Sequence, residues 1–318
     1  MIDYSVVMEW ENPWLYVSGS RQARVLSELA SQMRALEARG EVLVPFDGST
    51  MPREQLEEKL GEWLRGLQWR TVRADGAGYY GQRNLCFREA RGEIILSLDS
   101  DAFPSSRWLS RMLEAFENPA IDVLSTTTWI ETGRLGARIW AFCANYFPLR
   151  PDEDAGPAPS DRFFANGVAF RRALLDRFVY PDRPWFRMQC VALGSRLRAE
   201  GLTLWMHPGA TLEHPAPDSL EGVLRRIPWI AHDHVQIQLD RGRGRVRAVA
   251  IAAAAVMRDL ARGTVRALRH WRRADVHPIE LPLVLAGAAC FQIAVLMTLP
   301  LFLLRPDLIA TRVRINVR

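Results

Sequence analysis

Lysine is almost absent from this sequence: Lys59 is the only one among 41 basic residues, and the other 40 are arginine. A GC-rich genome produces that bias as readily as chemistry does. Cysteine is scarce as well. The four present (Cys86, Cys143, Cys190 and Cys290) are widely separated and match no metal-ligand spacing. That sets aside a zinc module or a disulfide scaffold and favours a reduced, cytoplasmic setting. No signal peptide is expected, because Met1-Ile-Asp-Tyr-Ser-Val-Val reads directly as a strand. Nor does a Gly-rich, Lys-bearing loop follow that strand. Glu9-Trp-Glu-Asn12 and Pro13 stand there instead, so a nucleotidyltransferase that cradles a triphosphate ranks low. What remains is globular in composition: 318 residues, 48% hydrophobic and 24% charged, with a net charge of +5. That is room for one large domain or two modest ones.

Residues 93–108 carry the most information. Ile94, Ile95, Leu96 and Leu98 form an apolar run that ends in Asp99-Ser-Asp101. A run of this length bounded by turn residues reads as a buried strand. Two carboxylates at its end place hard oxygen ligands at the mouth of a sheet, where Mg2+ or Mn2+ is held against phosphates. An acidic turn uses the same residues without a ligand, so the surroundings decide. Upstream, strand and helix patterns alternate. Tyr4–Met8 reads as a strand, and Leu26, Leu29, Ala30, Met33 and Leu36 give one buried face to a helix over 20–39, with Gly40 as its terminator. Glu41–Phe46 is a second strand, and Asp47-Gly-Ser-Thr50 a turn that supplies the N-cap of a helix near 52–67. Trp69–Arg73 is a third strand, and Gly76–Gly81 leads into a helix through Ala90. This order predicts an α/β fold with a doubly wound, mostly parallel sheet and helices on both faces.

Residues 150–161 form a polar, proline-rich loop, expected to be a flap over a site or a surface insertion. The C-terminal third differs in character. Between Arg241 and Arg273 there are ten arginines and a single acid, Asp259, and Val246–Leu260 reads as helical. Leu281–Leu304 then runs for 24 residues without a charge, more than the roughly 20 that cross a bilayer. Pro282, Gly287 and Pro300 suit a buried soluble helix, but length and lack of charge favour the membrane. Arginines on the N-terminal side would keep the preceding domain on the cytoplasmic face and draw the chain to anionic headgroups. Nucleic acid ranks behind lipid because the arginines adjoin an apolar span. The expected organisation is a catalytic domain over 1–220, a basic helical segment over 221–275, a membrane helix over 280–305 that either spans the bilayer or is embedded in it, and a short basic tail over 306–318.

In order and spacing these blocks resemble the family 2 glycosyltransferases, inverting enzymes of GT-A fold that use a nucleotide-sugar donor and a divalent metal. The resemblance covers roughly residues 3–215. It rests on Tyr4–Asn12, on Phe46-Asp-Gly-Ser-Thr50, on Gly81-Gln-Arg-Asn84 with Ala90-Arg-Gly-Glu93, and on Asp99-Ser-Asp101. Phe163-Phe-Ala-Asn-Gly167, Ser195–Gly201 and Ala210-Thr-Leu-Glu-His214 extend it. The resemblance implies that Asp47, with the Glu9/Glu11 turn, recognises the nucleotide base. It implies that Arg83 faces the diphosphate, that Asn166 borders the sugar, and that Asp99 and Asp101 hold Mn2+ or Mg2+ with His214 nearby. The implied activity is hexosyl transfer to a glycan or a lipid-linked acceptor of the cell envelope at the membrane, with no nucleic-acid partner.

One departure from the pattern is serious. The family's Glu-Asp pair falls at Gln189 and Cys190, and that aspartate is the general base. Gln189 takes no proton at neutral pH, and Cys190 does so only as a thiolate. Asp182 and Glu213 are the nearest alternatives. A catalytically silent nucleotide- or glycan-binding membrane subunit is therefore the second expectation.

Overall fold

Every residue of strand Tyr4–Glu9 (β1) is buried, as befits a central strand covered on both faces. The computed structural model describes residues 2–9, 19–49, 52–143, 149, 155–161, 163–181 and 189–304. Glu11, Asp182, residues 150–154 and the 306–318 tail lie outside the described residues. After β1 come α1 (Gly19–Arg34), β2 (Gly40–Phe46), α2 (Arg53–Trp63), β3 (Gln68–Arg73), α3 (Tyr79–Glu89) and β4 (Ile94–Asp99). Then follow β5 (Phe103–Pro104), α4 (Trp108–Ala115), β6 (Val123–Ile130), α5 (Leu135–Cys143), β7 (Ala158–Ser160) and β8 (Gly167–Arg171). The remainder is α6 (Arg172–Leu175), α7 (Gln189–Ala199), β9 (Leu204–His214), α8 (Leu220–Asp240), α9 (Arg245–His270), α10 (Leu281–Thr298) and α11 (Leu301–Leu304).

The chain divides into two compact units. The first comprises Met1–Thr128, Pro151–Asp182 and Gln189–His214, and the second Trp129–Arg150, Arg183–Met188 and Pro215–Arg318. In the first, the strand order is β3-β2-β1-β4-β8-β6-β9-β5, with β7 alongside β9. The expected parallel arrangement holds across β3-β2-β1-β4. Beyond β4 the sheet turns antiparallel, since β8 runs against β4 and β6 against β8. Alternation along the strands supplies two cores. Val6 and Met8 pack with Leu26, Leu29, Leu56 and Trp108 on one face, and Val7, Leu43 and Ile95 with Phe87, Phe163 and Tyr180 on the other.

Three local expectations change. Gly40 does not terminate a helix: α1 stops at Arg34, and Gly40 opens β2, where a Cβ would come 2.2 Å from the Tyr4 ring. Asp47 does not cap α2, which begins after Pro52 with no side-chain cap. The described part of the proline-rich loop includes an edge strand, with Ala158–Ser160 antiparallel to β9.

The second unit is helical. A Cβ on Gly287 of α10 would lie 2.8 Å from Ile139 of α5, so the missing side chain lets these helices approach closely. Arg138 Nη1 donates to both Glu280 oxygens at 2.7 Å, and Gln292 Nε2 donates to Cys143 O at 3.3 Å. Trp140 meets Phe291 edge-on at 5.2 Å. The uncharged run is not one uninterrupted α-helix: it passes from α10 to α11 at Leu299–Pro300. Pro278–Leu304, with a mean hydropathy of 2.0, is still long and apolar enough to cross a bilayer.

Candidate active site

The apolar run of β4 carries Asp99 to the C-terminal edge of the parallel strands, in register with Glu9 of β1. The chain then turns, with Ala102 N donating to Asp99 O at 3.2 Å, and enters β5. Pairing of Phe103 with Glu213 lays β5 against the end of β9 and so brings His214 beside Asp101. His214 Nε2 lies 3.7 Å from Asp101 Oδ2. One ligand atom from each of Asp99, Asp101 and His214 falls within 4.8 Å of the others, with both aspartates buried. Two carboxylates and an imidazole make a donor set suited to Mn2+ or Mg2+.

Asp99 is held from two sides. Tyr79 OH donates to its Oδ1 at 2.7 Å, the Arg83 guanidinium pairs with the same oxygen, and Asn166 Nδ2 donates to Oδ2 at 2.8 Å. Tyr79 and Arg83 are one helical turn apart on α3 and share a face. The guanidinium lies over the Tyr79 ring at 4.3 Å and donates to Tyr79 OH and to Ala165 O, each at 2.6 Å. Burial pushes the Asp99 carboxyl up, but Arg83, the Tyr79 hydroxyl and His214 outweigh it and hold the pKa below the ordinary value. Asp101 goes the other way. Burial and the neighbouring Asp99 charge raise its carboxyl despite His214 and Arg21. The Arg21 Nε also donates to Asp101 O at 3.0 Å.

Arg83, expected to face a diphosphate, has a wholly buried side chain engaged by Asp99, Tyr79 and Ala165, where its charge offsets that of Asp99. Glu9, expected in a base-holding turn, is likewise closed from solvent, at the last position of β1 beside Asp99. Asp47 sits at the end of β2 and ties two turns together. Its Oδ1 accepts from Ser49 N at 2.8 Å and Ser49 Oγ at 2.6 Å, and its Oδ2 from Gly76 N at 2.9 Å. These bonds hold its carboxyl below the usual range. Gln189 and Cys190 open α7. Burial pushes the Cys190 thiol up against a hydrogen bond from the Tyr80 side, which disfavours the thiolate a base would need. Glu213 adjoins His214 on β9 and so projects from the opposite face of the strand. Sequence reasoning missed Tyr79. Its signal was the four-residue spacing to Arg83.

The glycosyl transferase family 2 profile matches residues 21–177. No curated protein matches the chain significantly by sequence. Among solved structures, a mannosyltransferase, PcManGT, from Pyrobaculum calidifontis in complex with GDP-Man and Mn2+ is similar at 15% identity and TM-score 0.54, covering 96% of this chain and 87% of that one. TarS 1–349 of S. aureus with UDP-GlcNAc is similar at 17% identity and TM-score 0.52, over 99% and 88% of the two chains. GalNAc-T7 with UDP, GalNAc and Mn2+ is similar at 16% identity and TM-score 0.52, over 70% of this chain. The match spans 45% of that longer chain. At these identities the likeness establishes the fold.

Proposed function

Residues 21–177 place this chain in glycosyl transferase family 2, and on that premise we propose that it transfers a sugar from a nucleotide-sugar donor with a divalent cation held by Asp99, Asp101 and His214. The cluster of these three side chains within 4.8 Å carries the reading. Two buried carboxylates, Asp101 raised by burial and by the Asp99 charge, fit a cation, and two similar structures hold Mn2+ with GDP-Man or UDP. When bound, Mn2+ or Mg2+ neutralises charge on a diphosphate leaving group.

The chain's own residues have separable tasks. Tyr79, Arg83 and Asn166 fix the Asp99 carboxylate, and Asp47 braces the β2 and β3 turns where a nucleotide base would lie. The acceptor is a glycan or a lipid-linked one. Support for the lipid-linked form comes from the apolar segment Pro278–Leu304. The test is calorimetric titration with UDP, GDP and dTDP, with and without Mn2+, on the wild type and Asp101→Asn. Mn2+-dependent binding of one nucleotide, lost in the variant, is expected. Absence of binding by every nucleotide would overturn the reading.

A second reading, a nucleotide-binding subunit without transfer activity, is favoured by one observation. The position expected for the base is Cys190, whose thiol burial keeps protonated. Donor turnover followed by NMR separates the two readings.

A further inference from the structure

The second unit carries two outward apolar faces that its own packing does not cover. At about 100° per residue, Val246, Met257, Val265 and Leu268 of α9 share one arc of the helix, and they are 47–74% exposed. Arg247, Arg258, Arg262 and Arg269 fall on the adjoining arc and are exposed. The buried Ala248, Ala252, Val256, Gly263 and Ala267 face away from the apolar arc, into the bundle. On α10 the same division recurs. Val284, Ala288, Phe291 and Val295 are buried, while Leu283, Ile293 and Met297 stand on the opposite side at 50–73% exposure.

We propose that this unit docks on a bilayer containing anionic lipid and lies in its interface, one leaflet deep, instead of threading α10 across it. The exposed stripes of α9 and α10 enter the acyl region, and the α9 arginines take the headgroup phosphates. An arginine-edged apolar stripe on a long helix is the pattern of in-plane interfacial binding. The bundle itself argues against a span. Glu280 at the start of α10 is bound to Arg138, and Gln292 to the Cys143 carbonyl, so α10 is stitched to α5. Its other partners, α8 and α9, pack along it. Crossing the membrane would carry α9, with Arg258 and Arg262 mid-helix, toward the hydrocarbon centre, where arginine is among the costliest residues. A second copy of the chain is a poor occupant, because pairing α9 with itself would oppose two arginine rows. The ten arginines against one acid between Arg241 and Arg273 complement an anionic surface. The proposal does not depend on the donor reading, since vesicle binding is measured without nucleotide.

The test is flotation of the full chain with phosphatidylcholine vesicles and with vesicles that also contain phosphatidylglycerol. Variants are Arg258→Gln with Arg262→Gln, and Ile293→Ser with Met297→Ser; all four side chains are exposed, and thermal melts verify folding. Binding only to the anionic vesicles is expected, about fivefold weaker per arginine removed. It should be released when salt rises from about 0.1 to about 1 M and the Debye length shrinks from about 10 to about 3 Å. The apolar pair should lose binding at low salt. Membrane association that resists alkaline carbonate and ignores the arginine changes would overturn the proposal in favour of a span. Failure to bind vesicles, with a dimer in sedimentation that Met297→Ser abolishes, would assign the face to a second copy.

Discussion

The two edges of the parallel half-sheet are both built around buried carboxylates, and they differ in how those charges are met. At the N-terminal edge stands Glu41. Ser5 Oγ donates to its Oε1 at 2.8 Å, Arg91 N to the same oxygen at 2.7 Å, and Arg70 Nε to Oε2 at 3.2 Å, while Gly92 N closes on Ser5 Oγ at 2.8 Å. At the C-terminal edge Glu9 lies in register with Asp99, Asp101 follows two residues on, and the wholly buried Arg83 pairs with Asp99. A single carboxylate ringed by donors is structure. Two carboxylates converging with a histidine, one of them pushed up by burial and by its neighbour, leave electrostatic room for a cation. β1 makes the contrast within one strand, with Ser5 near one end and Glu9 at the other.

If this comparison is right, substitutions at the two edges separate binding from stability. The largest effect should be Asp101→Asn. Mn2+-dependent nucleotide affinity by calorimetry should fall at least about 100-fold, while the melting temperature stays level or rises because a repelled buried charge has gone. Tyr79→Phe should lower Mn2+ affinity about tenfold by removing a hydrogen bond that orients a ligand, with little change in the melt. Glu41→Ala should do the opposite. Denaturant unfolding should show a loss of about 3 kcal/mol, from the stranded Ser5, Arg91 and Arg70 donors, and nucleotide affinity of the folded fraction should be unchanged. Ser5→Ala, at about 1 kcal/mol, should be the mildest. The pH dependence sharpens the same contrast. Because burial and Asp99 raise the Asp101 carboxyl, protons compete for it sooner as pH falls. Mn2+ affinity should therefore begin to weaken at a higher pH than an ordinary aspartate would give. A calorimetric series in which Mn2+ affinity stays flat down to the ordinary aspartate range would break that account.

Much of this was legible in the chain. Apolar runs ending in polar turns located β1, β2 and β4 within a residue or two, because strands covered on both faces must be apolar nearly throughout. Asp99 and Asp101 stood out for the same reason, as charges terminating such a run. The antiparallel half was harder to read, since the pairing of β8 with β4 joins residues far apart in sequence and no local pattern encodes it. Arg83 shows the limit most clearly. Residue type suggested a phosphate ligand, and only burial and the geometry of Tyr79 and Ala165 reveal a guanidinium turned inward. At the C-terminus, composition marked the apolar stretch, while the polar stitches from Glu280 and Gln292 depend on which helices become neighbours.

The arrangement around Asp99 also orders events during synthesis. Arg83 precedes Asp99 by 16 residues, so it leaves the ribosome first and its cation is at hand when the carboxylate emerges. His214 closes the cluster only when β9 has been made and has paired with β5. The three side chains of the cluster thus come together only once the last strand of the unit is in place.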